Sequence, residues 1–437
     1  MTQRSITGLL FLLCLFPLGS AAPAWAQRTE RMWPERTRQE RMERNREQER
    51  ERERERQPEE DDGEFENPLD MKERDPLIPL EVFNERRSLS TQEQEELAAL
   101  LGPMALMAAS LYDGGQVEEA FELWYREVRL RRFLGPLAEV EALGRLGEVA
   151  WNESRTPDVV VVRERLQAIQ EEATKDREQS QLDRPLYRLL GQAYARIRAR
   201  YDTLAMYEFI LADVRATGDL EALEQTLNLI GVFHKGWFDF LAAARVYEEL
   251  LELAQGQFDV ANERRYLEEL VYIYDASSQY EKAIAIKESL LVSYAQKEEF
   301  FNKIAPVQIS LGQDYLRLGE KEQAIANLEA AFNWAWDNEQ WGYASNALEA
   351  LAELYVQYDQ LDYAIQLYQE QLKAAQASYN FYEIMTIYDR MGELYLKLNN
   401  QPQALQAFRE ALRFAEAIRH QEDYFEEKIT DILNNFL

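Results

Sequence analysis

The stretch LGQDYLRLGEKEQAIANLEAAF, residues 311–332, carries a pattern that recurs along the chain. Gly312 is followed three residues later by Tyr315 and twelve residues later by Ala324, with apolar residues at helical spacing around them. Gly319 and Glu320 interrupt that spacing. The stretch therefore predicts two helices joined by a short turn, the second beginning just after Glu320.

Three columns of residues repeat in register with this stretch. A small residue or valine recurs at Ala108, Gly147, Gly191, Gly231, Val271, Gly312, Ala352 and Gly392, at separations of 39, 44, 40, 40, 41, 40 and 40 residues. Three residues later the chain has Leu111, Ala150, Tyr194, His234, Tyr274, Tyr315, Tyr355 and Tyr395. Twelve residues after the small residue come Ala120, Val159, Thr203, Ala243, Ala283, Ala324, Ala364 and Ala404. Small residues let two helices approach closely, and one hairpin cannot bury its apolar face alone, so successive hairpins must stack.

These columns resemble the tetratricopeptide repeat, which also places an aromatic residue four positions after the alanine, as at Tyr207, Tyr247, Tyr368 and Phe408. The resemblance covers about residues 100–418 and implies an all-α fold, a right-handed solenoid of about eight helix-turn-helix repeats. The period near 40 exceeds the about 34 residues usual for the family, which indicates its long-repeat type. The unit from Gly147 to Arg163 departs most from the pattern and is expected to be distorted.

Both ends of the array, residues 90–418, have signals of their own. Ser90 and Glu93 predict a capping box that opens the first long helix. Before it, residues 67–89 form a lead-in whose prolines prevent a continuous helix: Pro68, Pro76 and Pro79. Residues 419–437 contain an amphipathic helix that we interpret as the terminal cap, with a detached partner-binding helix as the alternative.

Residues 1–26 have the three parts of a secretory signal peptide. Arg4 precedes an apolar run, and a small-residue cleavage site lies at Ala24-Trp25-Ala26. Export to the periplasm or the extracellular space is therefore expected, or to the thylakoid lumen if the source is a photosynthetic bacterium. The alternative is an uncleaved anchor, which Pro17, Pro23 and the short apolar core disfavour. After cleavage no further membrane-spanning segment is expected.

Residues 27–66 form a charged segment that we interpret as a disordered tether. It includes the stretch ERERERERQPEEDD, residues 49–62. Residues 28–62 contain 11 arginines and 13 acidic residues. It lacks the apolar stripe that would dock a helix. Residues 63–437 then retain 37 basic against 66 acidic residues, so the folded part carries nearly all of the chain's formal charge of −30. This charge argues against a nucleic-acid partner.

The sequence predicts no catalytic, cofactor or metal site. The single cysteine, Cys14, lies in the signal peptide, which excludes disulfides and thiolate chemistry from the mature chain. Of two histidines, His234 occupies the tyrosine column, where aromatic packing is expected, and His420 stands alone. Phosphate-binding, zinc-protease and nucleophile-elbow motifs are absent from the sequence. The chain is therefore predicted not to be an enzyme.

An aromatic group stands near the end of one hairpin. Trp334, Trp336, Trp341 and Tyr343 either pack at the turn between repeats or form an exposed platform, and packing is favoured.

In the tetratricopeptide family the first helices of successive hairpins line a concave groove that holds an extended or helical protein segment. The resemblance implies that the groove presents these residues: Arg188, Gln192, Arg196, Asn228, Lys235, Arg265, Glu268, Tyr272, Asp275, Gln313, Arg317, Glu349, Glu353, Asp389, Arg390 and Glu393. One hypothesis is that an acidic or C-terminal segment docks near the early basic residues and a basic segment near the later acids. The alternative is a solvated face. The carboxylate clamp of chaperone-binding members is not reproduced.

Two classes of function follow. The first is a non-catalytic interaction scaffold or assembly factor, acting outside the cytoplasm on a protein or peptide. The second is a metal-delivery or envelope and carbohydrate-processing accessory protein that uses its acidic surface, with weak divalent cation binding.

Overall fold

The structure, a computed structural model, describes residues 67–85, 87–177 and 182–434. The predicted signal peptide and charged tether lie outside these residues. The described residues form eighteen α-helices and no strands. The first nine are α1 (Leu80–Glu85), α2 (Thr91–Asp113), α3 (Val117–Arg131), α4 (Pro136–Asn152), α5 (Thr156–Arg177), α6 (Arg184–Arg196), α7 (Arg200–Thr217), α8 (Leu220–Gly236) and α9 (Phe240–Gly256). The others are α10 (Val260–Ala276), α11 (Tyr280–Tyr294), α12 (Phe301–Arg317), α13 (Lys321–Asp337), α14 (Trp341–Gln357), α15 (Leu361–Ala377), α16 (Phe381–Lys397), α17 (Gln401–Ile418) and α18 (Glu422–Asn434).

Helices α2 to α17 pack as eight successive hairpins, each with a first and a second helix. Every helix contacts the next along the chain, and α18 packs on α17. Phe425 and Ile432 of α18 are buried in one cluster with Phe408 of α17. The all-α solenoid of eight hairpins with a C-terminal capping helix is therefore confirmed, and the last helix is docked.

The 40-residue period has a simple origin in helix length. Helices α8, α9 and α10 have 17 residues each, and three residues separate each from the next. Two such helices and two such turns complete one period. The long repeat therefore reflects long helices joined by short turns.

Each hairpin reverses through one residue in the left-handed region. These residues are Gly115, Ser154, Arg198, Phe238, Ser278, Gly319, Asp359 and Asn399. The turn predicted at Gly319 is confirmed, and α13 begins at Lys321. Left-handed backbone costs an ordinary residue about 1–2 kcal/mol. Six of the eight hairpins form this turn without glycine, and backbone hydrogen bonds across it, such as that from the Asp239 N–H to the His234 carbonyl at 2.8 Å, offset the cost.

The small-residue column marks the closest approach inside the hairpins. A Cβ added to Gly191, Gly231 or Gly392 would lie 2.7 Å from an aromatic ring of the second helix. These rings belong to the aromatic column: Tyr207, Tyr247 and Phe408. At Gly312 the side chain of Leu328 takes the same place, also at 2.7 Å. Glycine is thus required at these positions, because the facing side chain leaves no space for a Cβ atom.

The unit that departs most from the pattern is built differently. Helix α5 has 22 residues, and α4 packs on α6 as well as on α5. A Cβ on Gly147 would meet Ile197, at the end of α6, at 2.4 Å, closer than any side chain of α5. The distortion expected here is a direct contact between two first helices.

The fifth hairpin replaces the glycine and aromatic pair by Val271 and Lys287. The Lys287 side chain is 1% exposed, and its ammonium donates to Asp275 and Ser310, at 2.7 Å each, and to Asp314. Asp314, on the first helix of the next hairpin, is fully buried and also accepts from Arg317 at 2.9 Å. A buried ion pair therefore joins the fifth and sixth hairpins.

The array begins at the predicted capping box. The Ser90 side chain accepts from the Glu93 backbone N–H, and the Glu93 carboxylate accepts from the Ser90 N–H. The Arg87 guanidinium, together with Ser90, lowers the pKa of Glu93 to about 2. Upstream, Leu69, Ile78 and Val82 are buried, so the lead-in is docked.

The close approach predicts unequal effects of two substitutions in α8. Gly231→Ala should lower stability by about 1–3 kcal/mol, because the new methyl group overpacks Tyr247. Gly236→Ala meets nothing within 4 Å, so it should be neutral or stabilising by up to about 1 kcal/mol. Thermal unfolding followed by circular dichroism compares them, and equal midpoints for the two variants would contradict the packing argument.

The buried ion pair predicts a non-additive mutant cycle. Lys287→Leu should cost about 3 kcal/mol, because it leaves Asp314 charged and buried with only Arg317 beside it. Adding Asp314→Leu should recover most of that loss. Both leucines occur at the equivalent positions of other hairpins, Leu328 and Leu354. The unfolding midpoints of the single and double variants test this, and a double variant that is the least stable of the set refutes it.

Candidate functional site

The surface formed by the first helices of the hairpins is the candidate site. We call it the first-helix face and define it by the residue that follows each small-column residue from α6 onward. Gln192, Val232, Tyr272, Gln313 and Glu353 on this face are exposed, and Glu393 is half-buried. The predicted groove residues lie along the same helices, α6, α8, α10, α12, α14 and α16.

Many of the predicted groove charges pair between successive hairpins. Lys235 of α8 pairs with Glu269 of α10, and Lys303 of α12 lies 2.7 Å from Glu268 of α10. Arg390 of α16 bridges Glu349 and Glu353 of α14 at 2.6 and 2.9 Å. These pairs hold neighbouring first helices in register. They also neutralise charges that would otherwise be available to a partner.

The basic groove residues of α6 and α8 differ in their exposure and in their ion-pair partners. Arg196 is exposed and lies 3.5 Å from Glu148 of α4, whereas Arg188 is half-buried. The Lys235 ammonium lies 5.1 Å from the centre of the Tyr247 ring. Burial opposes the charge of Lys235, but the interactions with Glu269 and Tyr247 together outweigh burial and raise the pKa of the lysine. An acidic segment would therefore compete with Glu269 for Lys235.

A polar network joins α8 to α10. The Tyr266 hydroxyl accepts from Asn228 at 2.9 Å and from Arg265 at 2.6 Å, and donates to Glu224 at 2.6 Å. Burial, followed by the bond to Glu224, raises the pKa of Tyr266. Asn228 and Arg265 are thus brought together, although 37 residues separate them in sequence.

The remaining predicted residues of α10 and α12 divide into two groups. Asp275 and Arg317 contact the buried Lys287 and Asp314 pair, so their first role is structural. Tyr272, 54% exposed and edge-on to Phe240 at 6.2 Å, and the exposed Gln313 are open to a partner.

At the end of the array the predicted residues contact the capping helix. Glu393 pairs with Lys428 of α18 at 2.6 Å, and Asp389 accepts from the Tyr424 hydroxyl at 3.3 Å. Burial raises the pKa of Asp389 above its ordinary 3.8, even with Tyr424 and Lys428 close by. The cap therefore covers the last part of the first-helix face.

An open cavity of about 590 Å³ lies on the first-helix face between α14 and α16. Trp341, Tyr343 and Tyr382 give it aromatic walls. Its charged lining residues are Glu349, Glu383 and Arg390, and its amide side chains are Gln340, Asn346, Gln371 and Asn380. We call it the α14–α16 cavity. Of the predicted residues, it brings together Glu349 and Arg390, with Glu353 alongside.

Glu383 is fixed at one wall of this cavity by its place in α16. Asn380 caps the helix by accepting from the Glu383 backbone N–H at 3.2 Å, and its amide donates to the Glu383 carboxylate at 2.9 Å. Ser345 of α14 also donates to this carboxylate, and Gln371 of α15 approaches it at 3.5 Å. The first turn of a helix favours a negative charge, so a carboxylate is stable at this position.

Two glutamines that line the cavity, Gln340 and Gln371, each have a buried carboxamide oxygen without a donor among the described residues. Gln371 is 2% exposed, and its nitrogen faces the Glu383 carboxylate, which can only accept. The nitrogen of Gln340 donates to the Phe301 carbonyl at 3.3 Å. The Oε1 atoms of both glutamines are buried without a hydrogen-bond partner in the part of the chain that the structure describes.

The aromatic group packs at the turn between repeats, as the favoured interpretation predicts, and two of its rings also line the cavity. Trp334 packs edge-on against Phe301 and donates to the Phe301 carbonyl at 3.0 Å, and Trp336 packs edge-on against Trp341 at 5.1 Å. Trp341 and Tyr343 line the α14–α16 cavity. Packing at the turn therefore positions two rings at a solvent-accessible wall.

Gln371 and Lys287 were not predicted from the sequence, although both are polar residues at positions that are apolar or aromatic in most other hairpins. The position of Gln371 is apolar in six of the other seven hairpins, as Leu166, Ile210, Leu250, Leu290, Ala331 and Ala411, and is Glu127 in the first. Likewise, Lys287 replaces the aromatic residue. A polar residue in a column of apolar core residues marks a site where a buried group needs a partner.

The described residues contain neither a metal cluster nor a membrane-spanning helix. Among them, no three His, Cys, Asp or Glu side chains converge closely enough to hold an ion. None of the described helices combines the length and apolar composition of a membrane span. His234 lies half-buried with its Nδ1 atom 3.5 Å from Asp239, and burial lowers its pKa.

Comparisons with known proteins give structural similarity alone. No protein-family model and no curated protein sequence matches the chain. The apo form of RapI is 12% identical and covers 73% of this chain and 98% of its own, with a TM-score of 0.37. BtubC from P. vanneervenii is 19% identical over 51% of this chain and 92% of its own, with a TM-score of 0.36. TPR-like repeats of a putative kinesin light chain from Podosopora anserina are 14% identical over 45% and 96%, with a TM-score of 0.35. The assignment to a tetratricopeptide-type solenoid rests on the hairpins and columns of the chain itself.

The raised pKa of Asp389 predicts a pH-dependent difference in stability. The folded state binds the Asp389 proton more tightly than the unfolded state, so the associated stability is present at low pH and lost as pH rises through the folded pKa. Asp389→Asn cannot ionise and should gain about 2 °C in Tm over the unmodified chain between pH 4 and pH 7. The exposed Asp423→Asn serves as the control for net charge. A difference that shrinks with rising pH contradicts the sign.

Proposed function

We propose that the chain is a non-catalytic protein-binding scaffold, an assembly factor that acts outside the cytoplasm. Its first-helix face receives an extended or helical segment of a partner protein. Export is inferred from residues 1–26, and residues 27–66 are proposed to tether the solenoid. The partner is proposed to be a protein or peptide rather than a nucleic acid, because the chain carries a formal charge of −30.

The observation that carries this proposal is the α14–α16 cavity on the first-helix face. Packing between hairpins closes the solenoid core, yet here aromatic and polar side chains border an open volume of about 590 Å³. Concave sites with aromatic walls and a few polar groups are typical of ligand binding. Exposed Gln192, Tyr272 and Gln313 extend the accessible surface along earlier hairpins.

The pairing of the groove charges refines the earlier hypothesis of charge-selected docking. Because Lys235, Arg390 and Glu393 each have an ion-pair partner in a neighbouring helix, their net effect on an approaching segment is small. Selection by shape and hydrogen bonding is therefore favoured over selection by charge along most of the face.

Site-specific photo-crosslinking tests the use of the first-helix face. A photoreactive amino acid at Gln192 or Gln313 should crosslink a partner protein from an envelope extract of the source cells. Exposed glutamines of second helices, Gln366 and Gln406, provide matched controls and should give at most one tenth of that yield. Equal yields from both sets of positions would show that the first-helix face is not the binding surface.

A further inference from the structure

We infer that the α14–α16 cavity binds an arginine side chain of the partner segment. This inference rests on the proposed scaffold function and specifies what one part of the first-helix face recognises. Three features of the cavity favour arginine: the glutamine acceptors that the described residues leave unpartnered, its charge and its aromatic walls.

The two cavity glutamines, Gln340 and Gln371, have hydrogen-bond acceptors that no described residue satisfies. The buried Oε1 atoms of Gln371 and Gln340 lack donors among the described residues, and a buried acceptor left unpaired costs about 1–3 kcal/mol. The other hydrogen bond of each amide fixes its orientation, toward Glu383 for Gln371 and toward the Phe301 carbonyl for Gln340. Because both glutamines line the cavity, a ligand that donates hydrogen bonds is favoured there.

The second feature is charge. Glu349 and Glu383 line the cavity and Glu353 lies alongside, against a single cation, Arg390. Arg390 is engaged by Glu349 at 2.6 Å and by Glu353 at 2.9 Å, so its charge is neutralised within the cluster. The carboxylate of Glu383 has no cation beside it among its hydrogen-bond partners Ser345, Gln371 and Asn380. A cationic ligand is favoured over an anionic one.

The third feature separates arginine from lysine. A guanidinium is planar, carries five N–H donors in a fixed arrangement and stacks on aromatic rings. The acceptors on Gln340, Gln371 and Glu383 come from three elements, and the rings of Trp341 and Tyr382 stand at the same cavity. A compact ammonium has three donors and a larger hydration cost, so it satisfies fewer of these groups at once.

The test uses three small probes: the N-acetyl methylamides of arginine, of citrulline and of lysine. Citrulline keeps the shape of arginine but carries no charge. The full chain is labelled at isoleucine δ1 methyl groups, and Ile387, which lines the cavity, reports occupancy by NMR. The arginine probe should shift the Ile387 signal saturably, with an affinity at least five times that of either other probe.

Two variants and a control locate the binding. Gln371→Leu introduces the residue found at that column in Leu250 and Leu290, so the hairpin retains its fold, and arginine affinity should fall at least fivefold. Glu383→Gln should lower it at least tenfold. Gln366→Leu, an exposed change on the same helix α15, should leave it unchanged.

Several outcomes would overturn the inference. Equal binding of arginine and citrulline, tighter binding of lysine, or unchanged affinity in Gln371→Leu each excludes a buried guanidinium. If these occur while partner crosslinks at Gln192 and Gln313 persist, the arginine pocket is refuted and the scaffold function is retained. If those crosslinks are also lost to the level of the controls, the proposed function itself fails.

Discussion

The solenoid depends on one contact, between the small residue of a first helix and the large side chain of the second. At Gly191, Gly231 and Gly392 no space remains even for a methyl group, because an aromatic ring lies against the backbone. Close-packed interiors transmit such constraints to their neighbours. This contact sets the distance between the two helices of a hairpin, and the spacing of the hairpins then places every residue of the first-helix face.

The columns could be predicted because they depend on the residue types that permit this contact. The hairpins, the turn at Gly319, the capping box at Ser90 and the docked last helix all follow from local patterns. Side-chain pairing across hairpins is different in kind. The bond between Lys235 and Glu269, or between Arg390 and Glu349, depends on the angle at which one first helix meets the next, which no single stretch of sequence encodes.

The most informative positions are those where the repeat breaks its own rule. Lys287 and Gln371 place polar groups in columns that are apolar or aromatic in most other hairpins, and the two have opposite outcomes. Lys287 obtains three protein partners and becomes part of the core. Gln371 retains an acceptor with no partner among the described side chains, at the wall of an open cavity. Buried polar groups need satisfaction, so the first position indicates structure and the second indicates a ligand.

The buried ion pair also bears on the order of the hairpins. The similar periods and turns of most hairpins suggest that one module could be excised and the chain rejoined without loss. Removing residues 240–279 would place α11 directly after α8 and so set Lys287 against Gly231, where Tyr247 now packs. The ammonium would keep Asp314 on α12 but lose Asp275, and the glycine would face a flexible chain instead of a ring. Although the backbone is periodic, its modules are therefore not interchangeable, and the fifth hairpin must directly precede the sixth in the array.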